Sequence, residues 1–315
     1  MVVRSVAIAQ VFGLLLLGCG GGEDDSSSTL DSGITGETGS GETGVETDTE
    51  DECISFAATL EECGEVVLPV DGWEFGGYYD GVNPESGSLI NTLSALIDDH
   101  SHVSYDNLWE RFDKTDMRED GTLWDIYSDN PDGETAYIYE VGPDKCGEYS
   151  AEGYCYNREH LWPSSWFGGG SPMKSDLHHV YPTDGYVNSR RSSHPFGEVE
   201  RATWTSTNGS KLGRGEQCDA PLQLFEPHDA YKGDIARAML YMATRYRFED
   251  EGWDSSNATE QASIDPWEEE LLRYWHQLDP VSEKELARND AIFAIQGNRN
   301  PFVDHPEWVC LIEDF

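Results

Sequence analysis

Positive charge is scarce in this chain: 20 Lys and Arg stand against 61 Asp and Glu, a formal net charge of −41 over 315 residues. A body this acidic cannot gather a polyphosphate through its overall field, because such affinity comes largely from Lys and Arg displacing counterions. Any polyanionic partner would have to meet a local exception. Long apolar runs are missing too. The best candidate, residues 6–17, falls short of the roughly twenty residues that span a bilayer. No His-Glu-x-x-His string occurs, which removes the usual zinc-peptidase helix. No phosphate-loop pattern follows Gly168-Gly169-Gly170, so that triplet reads as a turn. Cysteine neighbours nine or ten residues apart do not resemble a zinc ribbon.

What is present begins with an export signature. Arg4 precedes the apolar run, and Leu16-Leu17-Gly18-Cys19 has the form of a bacterial lipobox, so residues 1–19 read as a lipoprotein-type signal with Cys19 as the lipid-bearing residue. The expected location is the outer membrane or cell surface, or else the periplasm or medium. Residues 20–66 follow as an acidic spacer rich in Gly, Ser and Thr; up to Glu52 it holds eleven acids and no base, and it has too little to bury to offset its ordering entropy. The remaining six cysteines suit an oxidising compartment. Proximity favours Cys53 with Cys63, Cys146 with Cys155 and Cys218 with Cys310, out of fifteen possible pairings.

Residues 67–315 are long enough for one domain with a real core. Leu89, Leu93 and Leu96 recur at helical spacing, as do Ile235, Met239, Met242 and Tyr246. Asp265-Pro266 offers an N-cap and a first-turn proline ahead of Leu271, Trp275 and Leu278. Ser282 and Glu285 form a capping-box pattern, with Gly297 placed to stop that helix. Strand-like pieces are short, such as residues 136–141. The expectation is a monomeric α+β domain, mainly helical around a small sheet.

Chemistry concentrates in residues 157–193, and four of the nine histidines lie there or at His194 just beyond. Residues 158–162 read as a strand stopped by Pro163, residues 177–181 as a second strand stopped by Pro182, and Thr183 or Asp184 as the cap of a helix carrying Asn188, Arg190 and Arg191. Such a hairpin packed on a helix gathers Glu159, His160 and Asn188. One carboxylate and one amide oxygen suit a hard cation such as Mg²⁺, or alternatively Ca²⁺ or Mn²⁺, which keeps several waters. The unperturbed pKa of histidine suits His160 to take the proton of an attacking water near neutral pH. Arg190 and Arg191 are candidates for phosphate oxygens. Asp176, His178 and His179 are read as walls or orienting groups of the pocket, and Lys174, Asn298 and Arg299 as further possible substrate contacts. Trp162, Trp166 and Phe167 are read as core.

NREHLWP, SDLHHVYPTDGYVNSRRS and QGNRNPFVDHPEW, with YSDNP upstream, resemble the bacterial endonuclease I and extracellular nuclease family of His-Me finger (ββα-metal) nucleases. The resemblance runs from about Gly76 to Trp308. It implies a ββα-metal core, Glu159 and Asn188 as metal ligands, His160 as general base, and hydrolysis of DNA, with RNA as a further candidate substrate, to 5′-phosphate ends with little sequence preference. The family also sets an arginine on the scissile phosphate, in some members between the hairpin strands, where this chain has only Lys174. The charge pattern is compatible: residues 157–214 hold seven bases against five acids. The alternative reading is a silent surface lipoprotein that uses the nuclease fold as a binding module.

Overall fold

The computed structural model describes residues 53–56, 73, 75–215, 217–221 and 223–315. The signal segment, Cys19, Cys63 and most of the acidic spacer lie outside the described residues. In chain order the elements are α1 (Leu89–Ile97), α2 (Leu108–Thr115), β1 (Tyr156–His160), β2 (Val180–Asp184), α3 (Gly185–Arg191), β3 (Arg201–Thr205), β4 (Lys211–Arg214), β5 (Leu224–Glu226), α4 (Lys232–Tyr246), β6 (Thr259–Glu260), β7 (Ser263–Ile264), α5 (Pro266–Leu278), α6 (Glu283–Gln296) and α7 (Pro301–Asp304). The class is α+β, with helices around three small antiparallel sheets ordered β1-β2, β3-β4-β5 and β6-β7.

The core is built on α4, whose every residue is buried. Its Ile235–Met239–Met242–Tyr246 stripe supplies volume, while Ala236, Ala238 and Ala243 let α5 and α1 approach. The helix signals act as expected from local chemistry. Ser282 and Glu285 close a reciprocal capping box at the start of α6, and Gly297, at φ +83°, ends it in the left-handed region that only glycine enters freely.

The site hairpin is held from outside by buried charge. Arg288 on α6 donates to Asp116 (2.8 Å) and to the carbonyls of Leu177 (2.7 Å) and Val180 (3.1 Å), with its guanidinium 3.6 Å over the Tyr181 ring. Asp176 sits under the turn with no solvent exposure and accepts from the hydroxyls of Tyr241 (2.9 Å) and Tyr246 (2.8 Å) and from the Gln296 amide (3.0 Å). Burial pushes its carboxyl upward, but His100, His178, His179 and that amide outweigh it and hold the group below the ordinary carboxylate range.

Several expectations are corrected. Residues 136–141 do not form a strand: their backbone meets residues 122–123 only locally, through the Thr122↔Glu140 bridge and the Leu123 N–H bonded to the Tyr139 carbonyl (2.9 Å). Pro182 does not stop the second strand: it lies inside β2 opposite Arg158, on a two-stranded ribbon where a missing N–H is tolerated at an outward position. Cys53 bonds Cys218 rather than Cys63, so Cys218 is not the partner of Cys310, which is itself disulfide-bonded. Cys146–Cys155 forms as expected. The folded body also starts earlier than residue 67. Cys53 is tied to Cys218, Ile54 bridges Gln217, and Phe56 is buried in a stack on Tyr274 with ring centroids 4.6 Å apart.

Candidate active site

β1 and β2 pair in register from Tyr156↔Asp184 to His160↔Val180, and α3 follows at once. The junction is fixed by Asp184, whose Oδ1 accepts from the amides of Tyr186 (2.8 Å) and Val187 (2.9 Å) while its own N–H donates to Asp125 (2.7 Å). That cap aims the first turn of α3 back at β1. Alternation along β1 then sorts the side chains: Asn157 and Glu159 face α3, whereas Arg158 and His160 face Tyr105.

Asn188 donates from Nδ2 to Asn157 Oδ1 (2.7 Å) and to the Arg158 carbonyl (3.3 Å). With the amide nitrogen committed there, Oδ1 is left as the free acceptor. Glu159 is 2 % exposed, and Tyr127 (2.9 Å) and Arg191 (3.0 Å) both donate to its Oε1. Burial raises its pKa to about 7, with Arg191 and Tyr127 pulling the other way. A buried, partly neutralised carboxylate beside an oriented amide oxygen is a donor set that fits a hard divalent cation, and Glu159 and Asn188 are the residues that would hold it.

His160 is bound through Nε2 to the carbonyl of Lys174 at 3.0 Å. A carbonyl only accepts, so Nε2 carries the proton and Nδ1 keeps the lone pair. Burial, followed by His179, depresses the pKa of the ring to about 3, so the imidazole is neutral. Glu159, His160, Asn188, Arg158, Lys174 and Tyr105 all line one cavity of about 620 Å³, whose rim is completed by serines and Gly169.

The other sequence-derived candidates separate. Arg191 does not line the cavity: it is fully buried, donates to Glu159 and to the carbonyls of His160 (2.8 Å) and Leu161 (2.6 Å), and packs 4.4 Å from the Phe196 ring. Its position orients the carboxylate. Arg190 is exposed and donates to the Tyr186 hydroxyl (2.6 Å), outside the cavity lining. His178 and His179 precede β2 in a turn and donate to the carbonyls of Asn298 (3.3 Å) and Met173 (2.6 Å); His179 packs 5.5 Å from the His160 ring. Asn298 and Arg299 likewise lie outside the lining of this cavity. Asn298 donates to Ile97 O and the Tyr241 hydroxyl, and Arg299 pairs with the buried Asp304 and the half-exposed Asp290. Two residues escaped the sequence reading. Tyr127, within the YSDNP stretch, touches Glu159, and Arg158 lines the cavity directly before it. The strand alternation that put His160 on one face also put Arg158 there, and that was the available signal.

Comparison with known proteins agrees. The Endonuclease I family model matches residues 86–307. The extracellular ribonuclease of Bacillus subtilis is 31 % identical over 242 residues, 73 % of this chain and 76 % of the relative. That of Bacillus amyloliquefaciens is 32 % identical over 243 residues, with the same coverage. An extracellular deoxyribonuclease of Aeromonas hydrophila is 28 % identical over 137 residues, 42 % of this chain and 50 % of the relative. The chain belongs to the endonuclease I family of nucleic-acid hydrolases.

Proposed function

We propose that the chain is an exported, metal-dependent endonuclease with little sequence preference, acting on both RNA and DNA and leaving 5′-phosphate ends. The convergence of Glu159, Asn188 and the neutral His160 on one cavity carries this reading. A divalent cation held by Glu159 and Asn188 supplies stabilisation of charge at the phosphoryl and leaving oxygens. The chain's own groups do the rest. His160 Nδ1 takes the proton of an attacking water, while the Lys174 carbonyl, holding Nε2–H, fixes the tautomer and steadies the imidazolium that forms. Arg191 and Tyr127 keep Glu159 aimed at the cavity. Because the nucleophile is water, no ribose 2′-hydroxyl enters the reaction. Support for RNA comes from the two Bacillus ribonucleases, which align over three quarters of their length, and for DNA from the Aeromonas enzyme. The extracellular relatives and the residue 1–19 pattern support export, with a lipid anchor at Cys19. One chain supplies every group named, as a monomeric enzyme requires.

The test is cleavage of supercoiled plasmid and of labelled RNA by the oxidised protein, with Mg²⁺, with chelator, and with His160→Ala. Turnover that needs both the metal and His160 is expected; a folded His160→Ala protein with full activity would sink the mechanism.

A further inference from the structure

Beside the catalytic histidine lies an arrangement that the reaction itself does not require. Lys145 Nζ sits 5.7 Å over the Trp109 ring; the Arg158 guanidinium lies 4.3 Å from Trp109 on one side and 3.5 Å from Tyr105 on the other; Lys174 Nζ sits 4.9 Å over Tyr105. Tyr105 in turn stacks on His160, with ring centroids 5.8 Å apart. Cation and aromatic thus alternate from the surface to the general base. Four pieces of chain build this ladder: residues 105–109, which run into α2, the strand β1, the turn Met173–Ser175 that carries Lys174, and Lys145, beside Cys146 of the Cys146–Cys155 disulfide and bridged to Tyr156.

Its cations are left largely unneutralised. Many others among the described residues are closed into pairs with buried carboxylates, as in Arg288–Asp116, Arg237–Glu285 and Arg299–Asp304. Lys145 and Lys174 have no ion pair recorded among the described residues. Arg158 has only Asp106 at 4.0 Å, a carboxylate 98 % exposed and therefore well screened. In a chain of net charge −41, three cations kept from neutralisation and fixed on aromatic faces form a prepared polyanion site.

We propose that Lys145, Arg158 and Lys174 form a phosphate track that holds a single polynucleotide strand as it leaves the reaction centre. This rests on the nuclease reading and extends it to the mode of substrate binding. The rings do not read bases: both Tyr105 and Trp109 already carry cations on their faces, so they orient charge instead of stacking nucleobases, unlike the open platforms of other single-strand binders. Binding through this track is therefore indifferent to sequence and to sugar.

The test uses the full chain in chelator, so that nothing is cut, with fluorescein-labelled oligo-dT, oligo-dA and oligo-rU followed by anisotropy from 50 to 200 mM salt. For single strands each phosphate contact contributes about 0.7 to the slope of log K against log salt. Lys145→Gln, on an exposed side chain, is expected to reduce that slope by about 0.7, so that its deficit against the parent narrows roughly 2.5-fold across the fourfold salt range. Arg158→Gln should act in the same way, Lys145→Arg should restore the parent slope, and all three oligonucleotides should respond alike. With Mg²⁺ present, Lys145→Gln should raise KM and leave kcat in place. If the parent binds and cleaves but both variants keep its slope, or if the loss falls on one base only, the track is wrong and the nuclease reading stands. If the parent neither binds nor cleaves either nucleic acid, the nuclease reading fails and takes the track with it.

Discussion

Glu159→Gln should make the metal-free protein more tolerant of alkaline pH while abolishing turnover. The folded carboxyl has its pKa raised from 4.5 to about 7, first by burial and against the pull of Arg191. In the unfolded chain the same group ionises near its ordinary value. Between these two pH values the unfolded state has lost the proton and the folded state has kept it, so native stability declines as pH rises through the interval and levels off above about 7. At about 1.4 kcal/mol per pH unit, the decline amounts to about 3 kcal/mol. Glutamine cannot ionise and lacks this dependence, and any fixed offset it introduces is the same at every pH. Urea titrations of both proteins in chelator at pH 4.5, 6 and 8 should show the difference in unfolding free energy moving by about 3 kcal/mol toward the variant. Adding Mg²⁺ at pH 8 should return stability to the parent alone, since the ion binds only its folded carboxylate. A difference independent of pH, or Mg²⁺ stabilising the variant equally, would refute the assignment of Glu159 as a buried metal carboxylate.

Three further outcomes are expected. His160→Ala should lower kcat by about 10²–10⁴ in single-turnover cleavage while the oligonucleotide Kd stays within a small factor. Arg299→Gln should destabilise by about 3 kcal/mol in thermal or urea unfolding, because it leaves the buried Asp304 underpaired, yet kcat/KM of the folded fraction should match the parent. Cys146→Ser with Cys155→Ser should remove about 2–3 kcal/mol of stability by opening a short loop, and should raise KM as Lys145 loses its support.

Local chemistry was legible wherever the signal is short-range. The capping box at Ser282, the proline-led start of α5 and the apolar stripe of α4 each depend on residues three or four apart, and each appears in the fold. The trio of Glu159, His160 and Asn188 was legible for a similar reason, since a strand, a turn and a helix bring them together within thirty-odd positions. What could not be read was the fate of charged side chains that reach across the molecule. Arg191 and Arg190 are neighbours with the same side chain, but only the three-dimensional placement of Glu159 and two carbonyls buries one and leaves the other on Tyr186. Asn298 and Arg299 look like a polar loop in sequence, and their partners Asp304, Asp290, Tyr241 and Ile97 show it to be an internal clasp. The Cys53–Cys218 bond escaped for the same reason, as nothing in linear proximity links positions 165 apart.

That bond also gives the protein a defined path for mechanical load. A pull applied upstream of Cys53 and resisted downstream of Cys218 passes through the two sulfur atoms and bypasses everything between them. The hairpin, α3, Tyr127 and the Lys145–Tyr105 ladder all lie within the bypassed loop. Drag on the chain upstream of Cys53 that is resisted downstream of Cys218 therefore reaches the body beside β4 and bypasses the geometry around Glu159 and His160.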